Sequence, residues 1–148
     1  MKKRLLLIGS VQEDLIKVAG LIEKEPLQPV GNAILYQQET IMVPSAYLRS
    51  PWMTKHIIST QQNAYALLML ASTAYPLKVY SPNFAKAFRI PSMGLVLFQE
   101  KDSLVRRNAC LADLSATKPD FLYELNSLSQ ETVKRFTDKL RVMKKEDK

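Results

Sequence analysis

Apolar and polar positions follow two periods that alternate along the chain. Lys3–Ile8 is a short apolar run that stops at Gly9, the signal of a buried strand. Val11–Lys24 then takes the helical period. Val11, Leu15, Val18 or Ala19 and Ile22 share one stripe, and Lys17, Glu23 and Lys24 lie off it. Pro26 and Pro29 end that helix and open a loop to Gly31 and Asn32. Ala33–Tyr36 and Thr40–Val43 read as two short strands of a hairpin. Pro44–Pro51 is irregular, and Trp52–Asn63 is expected to be a helix with Pro51 at its first turn.

The second half repeats the alternation. Ala64–Ala71 is apolar almost throughout, as a strand covered on both faces would be. Pro82–Arg89 reads as a short helix and Met93–Phe98 as another buried strand. Asp102 or Ser103 opens a helix to about Leu114, and Phe121–Leu125 is a last strand. Ser129 is suited to cap a final helix in which Val133, Phe136, Leu140 and Met143 keep helical spacing. The pattern predicts one α/β domain over residues 1–143, doubly wound around a mostly parallel sheet, with a frayed charged tail at 144–148. In such sheets ligands collect at the carboxyl ends of the strands. The segments to watch are therefore Gly9–Ile16, Val43–Ser50, Ala71–Pro76, Phe98–Ser103 and Leu125–Ser129.

Composition narrows the picture. The chain has 148 residues, 47% apolar and 24% charged, the balance of one globular domain. Cys110 is the only cysteine, which excludes a disulfide framework and suits the cytoplasm. No apolar run approaches the roughly 20 residues needed to cross a bilayer, so no membrane is expected. Lys and Arg number 21 against 14 Asp and Glu. The excess sits in residues 26–98, where Arg49, Lys55, Lys78, Lys86 and Arg89 face the single acid Glu39. A basic balance admits nucleic acid or an acidic protein surface as partner. No dense basic run with interleaved aromatics occurs, so nucleic acid is the less expected of the two. His56 is the only histidine and lies far along the chain from Cys110, so no metal-binding spacing exists. Trp52 and His56 stand at i and i+4 on one helix face, with Arg49 and Lys55 near. They fit either a protein-binding spot or, the commoner arrangement, packing of the helix onto the sheet.

The loops at the strand ends carry a resemblance. Lys3-Arg4-Leu5-Leu6-Leu7-Ile8-Gly9-Ser10-Val11, then Pro51-Trp52 with His56, then Tyr123-Glu124-Leu125-Asn126-Ser127 occur in order and at the right spacing. In these the chain resembles the ethanolamine/propanediol-utilisation (EutP/PduV) branch of the P-loop GTPases. The resemblance implies a Ras-like, three-layer sheet of about six strands with one antiparallel edge hairpin, the place of Ala33–Val43. The phosphate loop of that family, G-x-x-x-x-G-K-[ST], uses glycines to close backbone N–H groups on phosphate, a lysine for charge and a hydroxyl for magnesium. This chain reads Gly9-Ser10-Val11-Gln12-Glu13-Asp14-Leu15-Ile16. Only Gly9 is kept, and Asp14, Leu15 and Ile16 stand for the second glycine, the lysine and the hydroxyl. The D-T-P-G-like motif reads Met42-Val43-Pro44-Ser45-Ala46, with only its proline kept and no carboxylate, and the N-K-x-D-like motif reads Gln99-Glu100-Lys101-Asp102.

Ser10-Val11-Gln12-Glu13 has the form of a capping box, and with Asp14 it would occupy the helix donors that an anion needs. The resemblance thus implies a degenerate phosphate loop with no cofactor, no metal and no catalytic residue. It implies a non-catalytic, GTPase-like module that contacts another protein, at the surface of a metabolic microcompartment. The contact is expected at Val43–His56, the place of the family's switch, with Arg49, Trp52 and His56 as candidates. The alternative is an enzyme that binds ATP or GTP through an altered phosphate loop.

Overall fold

The computed structural model describes residues 3–25, 31–73, 80–99, 104–126 and 129–146. The expectations for Pro26, Pro29, the 74–76 end of the segment Ala71–Pro76, Glu100–Ser103 and Ser127 fall outside these residues. Among the described residues there are six strands: β1 Arg4–Gly9, β2 Leu35–Tyr36, β3 Thr40–Met42, β4 Ala64–Ser72, β5 Ser92–Leu97 and β6 Phe121–Leu125. They form one sheet in the order β2-β3-β1-β4-β5-β6. Only β2 and β3 pair antiparallel, and every other ladder is parallel. The expected six-stranded, mostly parallel sheet with its edge hairpin is the one observed.

Alternation along the central strands builds two cores. Leu5 and Leu7 of β1 join Ala66, Leu68 and Leu70 of β4 on one face, under helices α1 (Gln12–Ile22) and α4 (Gln130–Glu146). Leu6, Ile8, Leu67 and Met69 point the other way, under α2 (Thr54–Ser59) and α3 (Leu104–Ser115). Both faces are covered, which is why β1 and β4 are apolar without a break. Phe136, Leu140 and Met143 bury the stripe of α4, and the Ser129 hydroxyl accepts the Thr132 N–H at 3.4 Å as its cap. Among the described residues no helix is long and apolar enough to cross a membrane.

Several local expectations are corrected. α1 ends at Ile22, short of the prolines, because Glu23 turns to extended backbone (φ −74°, ψ 139°). Its carboxylate accepts the Glu39 N–H at 3.0 Å and the Thr40 hydroxyl at 2.5 Å, tying the end of α1 to the start of β3. The irregular stretch after β3 is a 3-10 turn, Ser45–Arg49. The expected helix 52–63 is broken into 3-10 turns at Pro51–Met53 and Thr60–Asn63 around the six residues of α2. Phe84–Ala87 is likewise a 3-10 turn rather than an α-helix. The tail expected from Lys144 begins as helix, since α4 runs to Glu146 and Lys144 pairs with Glu39 at 2.9 Å.

Candidate functional site

Parallel pairing brings the ends of β1, β3 and β4 to one edge. Leu7 lies beside Met42 on one side and Leu68 on the other, and Gly9 is beside Leu70. The turn from Gly9 into α1 therefore sits between the segment that leaves β3 and the end of β4 at Ser72. This is the edge where the sequence places the phosphate loop.

Gly9, Leu15 and Asp14 of that loop pack against or bond to other parts of the protein. A Cβ on Gly9 would stand 3.1 Å from the Leu70 Cβ and 3.5 Å from the Leu15 Cδ2. Glycine at this position thus serves the close packing of β1, β4 and α1. Leu15 is fully buried and folds back over Gly9, while Ile16 lies at the surface, 36% exposed. Glu13 is exposed. The Asp14 carboxyl is hydrogen-bonded by the Ser72 side chain. Burial raises its pKa above the ordinary carboxylate value, against the opposing pull of Lys17 and of that hydrogen bond.

The capping box does not form. The residue that caps α1 is Val11, extended at φ −122° and ψ 118°, with no side-chain cap. The helix starts one residue later than the S-x-x-E spacing requires. Ser10 is left buried at the end of β1, out of the capping position. The first turn is instead closed by backbone, with the N–H of Asp14 on the Val11 carbonyl at 3.1 Å.

Two side chains that the motif comparison passes over fasten this loop to the segment after β3. Gln12 Oε1 accepts the Ser45 N–H at 3.0 Å. Arg49 Nη2 donates to the Ser10 carbonyl at 2.9 Å. Beneath them the Val43 N–H bonds to the Leu7 carbonyl at 3.1 Å, which prolongs the ladder. On the far side of the sheet the Tyr80 hydroxyl donates to the Leu70 carbonyl at 2.7 Å, and burial pushes its pKa well up.

A magnesium–nucleotide phosphate does not fit this donor set. The lysine position is a buried leucine, the hydroxyl position an isoleucine, and the second glycine a carboxylate held by Ser72. The switch carboxylate is replaced by buried Met42. On the base side the Asn126 carbonyl is taken by the Ser129 N–H at 2.9 Å and the Thr132 hydroxyl at 2.9 Å. Nearby, Arg107 lies 3.9 Å over the Phe98 ring and pairs with Glu124 at 3.0 Å, an arrangement no sequence motif signals.

The three candidate contact residues do not form one cluster. Arg49 is committed to Ser10. Trp52 is 71% exposed and His56 is exposed, on the outer side of the same helical segment as Lys55. Packing of Trp52 onto the sheet, the commoner arrangement, is thereby overturned. The buried residue of α2 is Ile57, and Trp52 precedes that helix, in the 3-10 turn Pro51–Met53.

The family model PduV-EutP, described as ethanolamine utilisation - propanediol utilisation, matches residues 2–142. No curated protein matches the chain.

Proposed function

The chain belongs to the ethanolamine utilisation–propanediol utilisation family, and on that premise we propose that it is a GTPase-fold protein that neither binds nor hydrolyses nucleotide. It acts in the cytoplasm as a protein-interaction module, at the surface of the microcompartment of that metabolism. The observation that carries the reading is Leu15: fully buried and folded over Gly9, it fills the place from which a lysine would reach phosphate. Asp14 and Glu13 add like charge. At about 4 Å, two unit charges interact by about 4 kcal/mol at an effective dielectric near 20.

The contact surface is the outer side of residues 51–56, where Trp52 offers a large exposed ring. An exposed tryptophan beside polar neighbours is the kind of anchor that interfaces use. Calorimetric titration with GTP, GDP and ATP in the presence of magnesium is expected to give no saturable heat at micromolar protein. Phosphate release is expected to stay at the level of a protein-free blank. A micromolar dissociation constant for any of the three overturns the reading in favour of a nucleotide-using enzyme. In native lysate, Trp52→Ala is expected to lose the captured partner while the fold persists.

A further inference from the structure

We propose that the face formed by residues 51–63 and 80–92 is a docking groove for an acidic, amphipathic protein segment. This names the chemistry of the partner and rests on the reading of the chain as an interaction module. The two stretches hold Lys55, Lys86 and Arg89 and not one aspartate or glutamate. They meet around a shallow concavity of ≈ 650 Å³, whose lining includes Lys3, Lys55, Ile58, Gln61, Arg89 and Ile90. Among the described residues no carboxylate lines it. Among the described residues Lys55 and Arg89 make no ion pair.

The groove is shaped rather than merely charged. Gln61 Oε1 accepts the Arg89 N–H at 2.6 Å and joins the two walls. Ile58 and Ile90 are half-buried and pack on the core beneath, so they form an apolar floor between the cations. Trp52, three residues before Lys55 and outside the lining, adds an exposed ring on the same stretch. An apolar floor and flanking cations complement a segment with apolar anchors and carboxylates beside them. Nucleic acid would use cations strung along a phosphate track with stacked aromatics. Here a single ring and an isoleucine floor favour protein.

The test is fluorescence polarisation with the whole chain and three labelled probes. The first is a helical peptide of glutamates with leucines at i, i+3 and i+4 spacing. The second has lysine for every glutamate. The third is a single-stranded DNA oligonucleotide. Saturable binding of the glutamate peptide is expected, weakening as salt rises and falling at least about tenfold in the Lys55→Glu, Arg89→Glu double variant. Trp52→Ala is expected to weaken it severalfold, and the lysine peptide to show no saturation. Absence of saturable binding, equal binding of both peptides, tighter binding of the DNA, or an unaffected double variant overturns the proposal. These outcomes separate from the module reading. Partner capture that still depends on Trp52, without glutamate-peptide binding, overturns the acidic groove alone. Micromolar nucleotide binding overturns the module reading alone.

Discussion

The side-chain oxygen of Gln12 accepts the backbone N–H of Ser45 at 3.0 Å, joining the loop after β1 to the turn after β3. Arg49 makes a second join, to the Ser10 carbonyl. In a nucleotide switch, a terminal phosphate and its magnesium supply such links, and hydrolysis removes them. Here protein atoms, Gln12 and Arg49, supply two such links.

Gln12→Ala is expected to leave the Ser45 N–H without its acceptor. The cost is about 1–3 kcal/mol, that of a backbone donor deprived of its partner. Denaturant unfolding reads the loss. Hydrogen exchange locates it, with faster exchange expected at Ser45 and through the turn to Arg49 while the β1–β4 ladder stays protected.

Asp14→Asn is expected to stabilise the protein at neutral pH. Burial holds the native carboxyl above its ordinary 3.8, so the ionised form costs native stability at pH 7. As the pH falls through the native pKa, the folded protein takes up its proton before the unfolded chain does, and wild-type stability recovers. The recovery is complete below 3.8. The asparagine variant keeps a partner for Ser72 and carries no charge. Its advantage over wild type should therefore be largest near neutrality and vanish below that value, in denaturant melts taken across the range.

Glu23→Ala is expected to cost about 1.5–3 kcal/mol, the range for hydrogen bonds to an ionised group. It removes the acceptor of both the Glu39 N–H and the Thr40 hydroxyl. The loss should appear as a lower denaturation midpoint, with early exchange at Glu39 and Thr40. Glu23→Gln should recover part of it, since one amide oxygen can still accept.

The sheet was legible because periodicity reports burial directly. Leu5–Ile8 and Ala64–Ala71 lack a polar face, and only a strand covered on both sides tolerates that. Helix limits were less legible, because side chains distant in sequence decide them. Glu23 stops α1 by bonding to Glu39 and Thr40, and no local signal says so. The capping box at Ser10 failed for a related reason. Its letters fit, but β1 runs to Gly9 and leaves Ser10 buried in the bend after it, so the cap position falls to Val11.

Motif spacing sets Leu15 and Ile16 at fixed offsets from Gly9, where the resemblance puts the lysine and the hydroxyl. It could not show what fills the site. Gln12 and Arg49 occupy positions that the motif leaves free, and their partners arrive only when β1 and β3 pair. Trp52 is exposed because Trp52–Asn63 is not one continuous helix. The 3-10 turn at Pro51–Met53 and the short α2 bury Ile57 and leave the indole outside.

The place of β1 in the sheet sets a schedule for synthesis. Both its neighbours, Thr40–Met42 and Ala64–Ser72, come later in the chain. While the ribosome is still translating them, Leu5–Ile8 has no ladder on either edge. It stays a short apolar stretch of the kind that seeks out other strands. Lys2, Lys3 and Arg4 immediately precede it, and a cluster of like charge in that position acts as a gatekeeper that keeps nascent chains from pairing with one another.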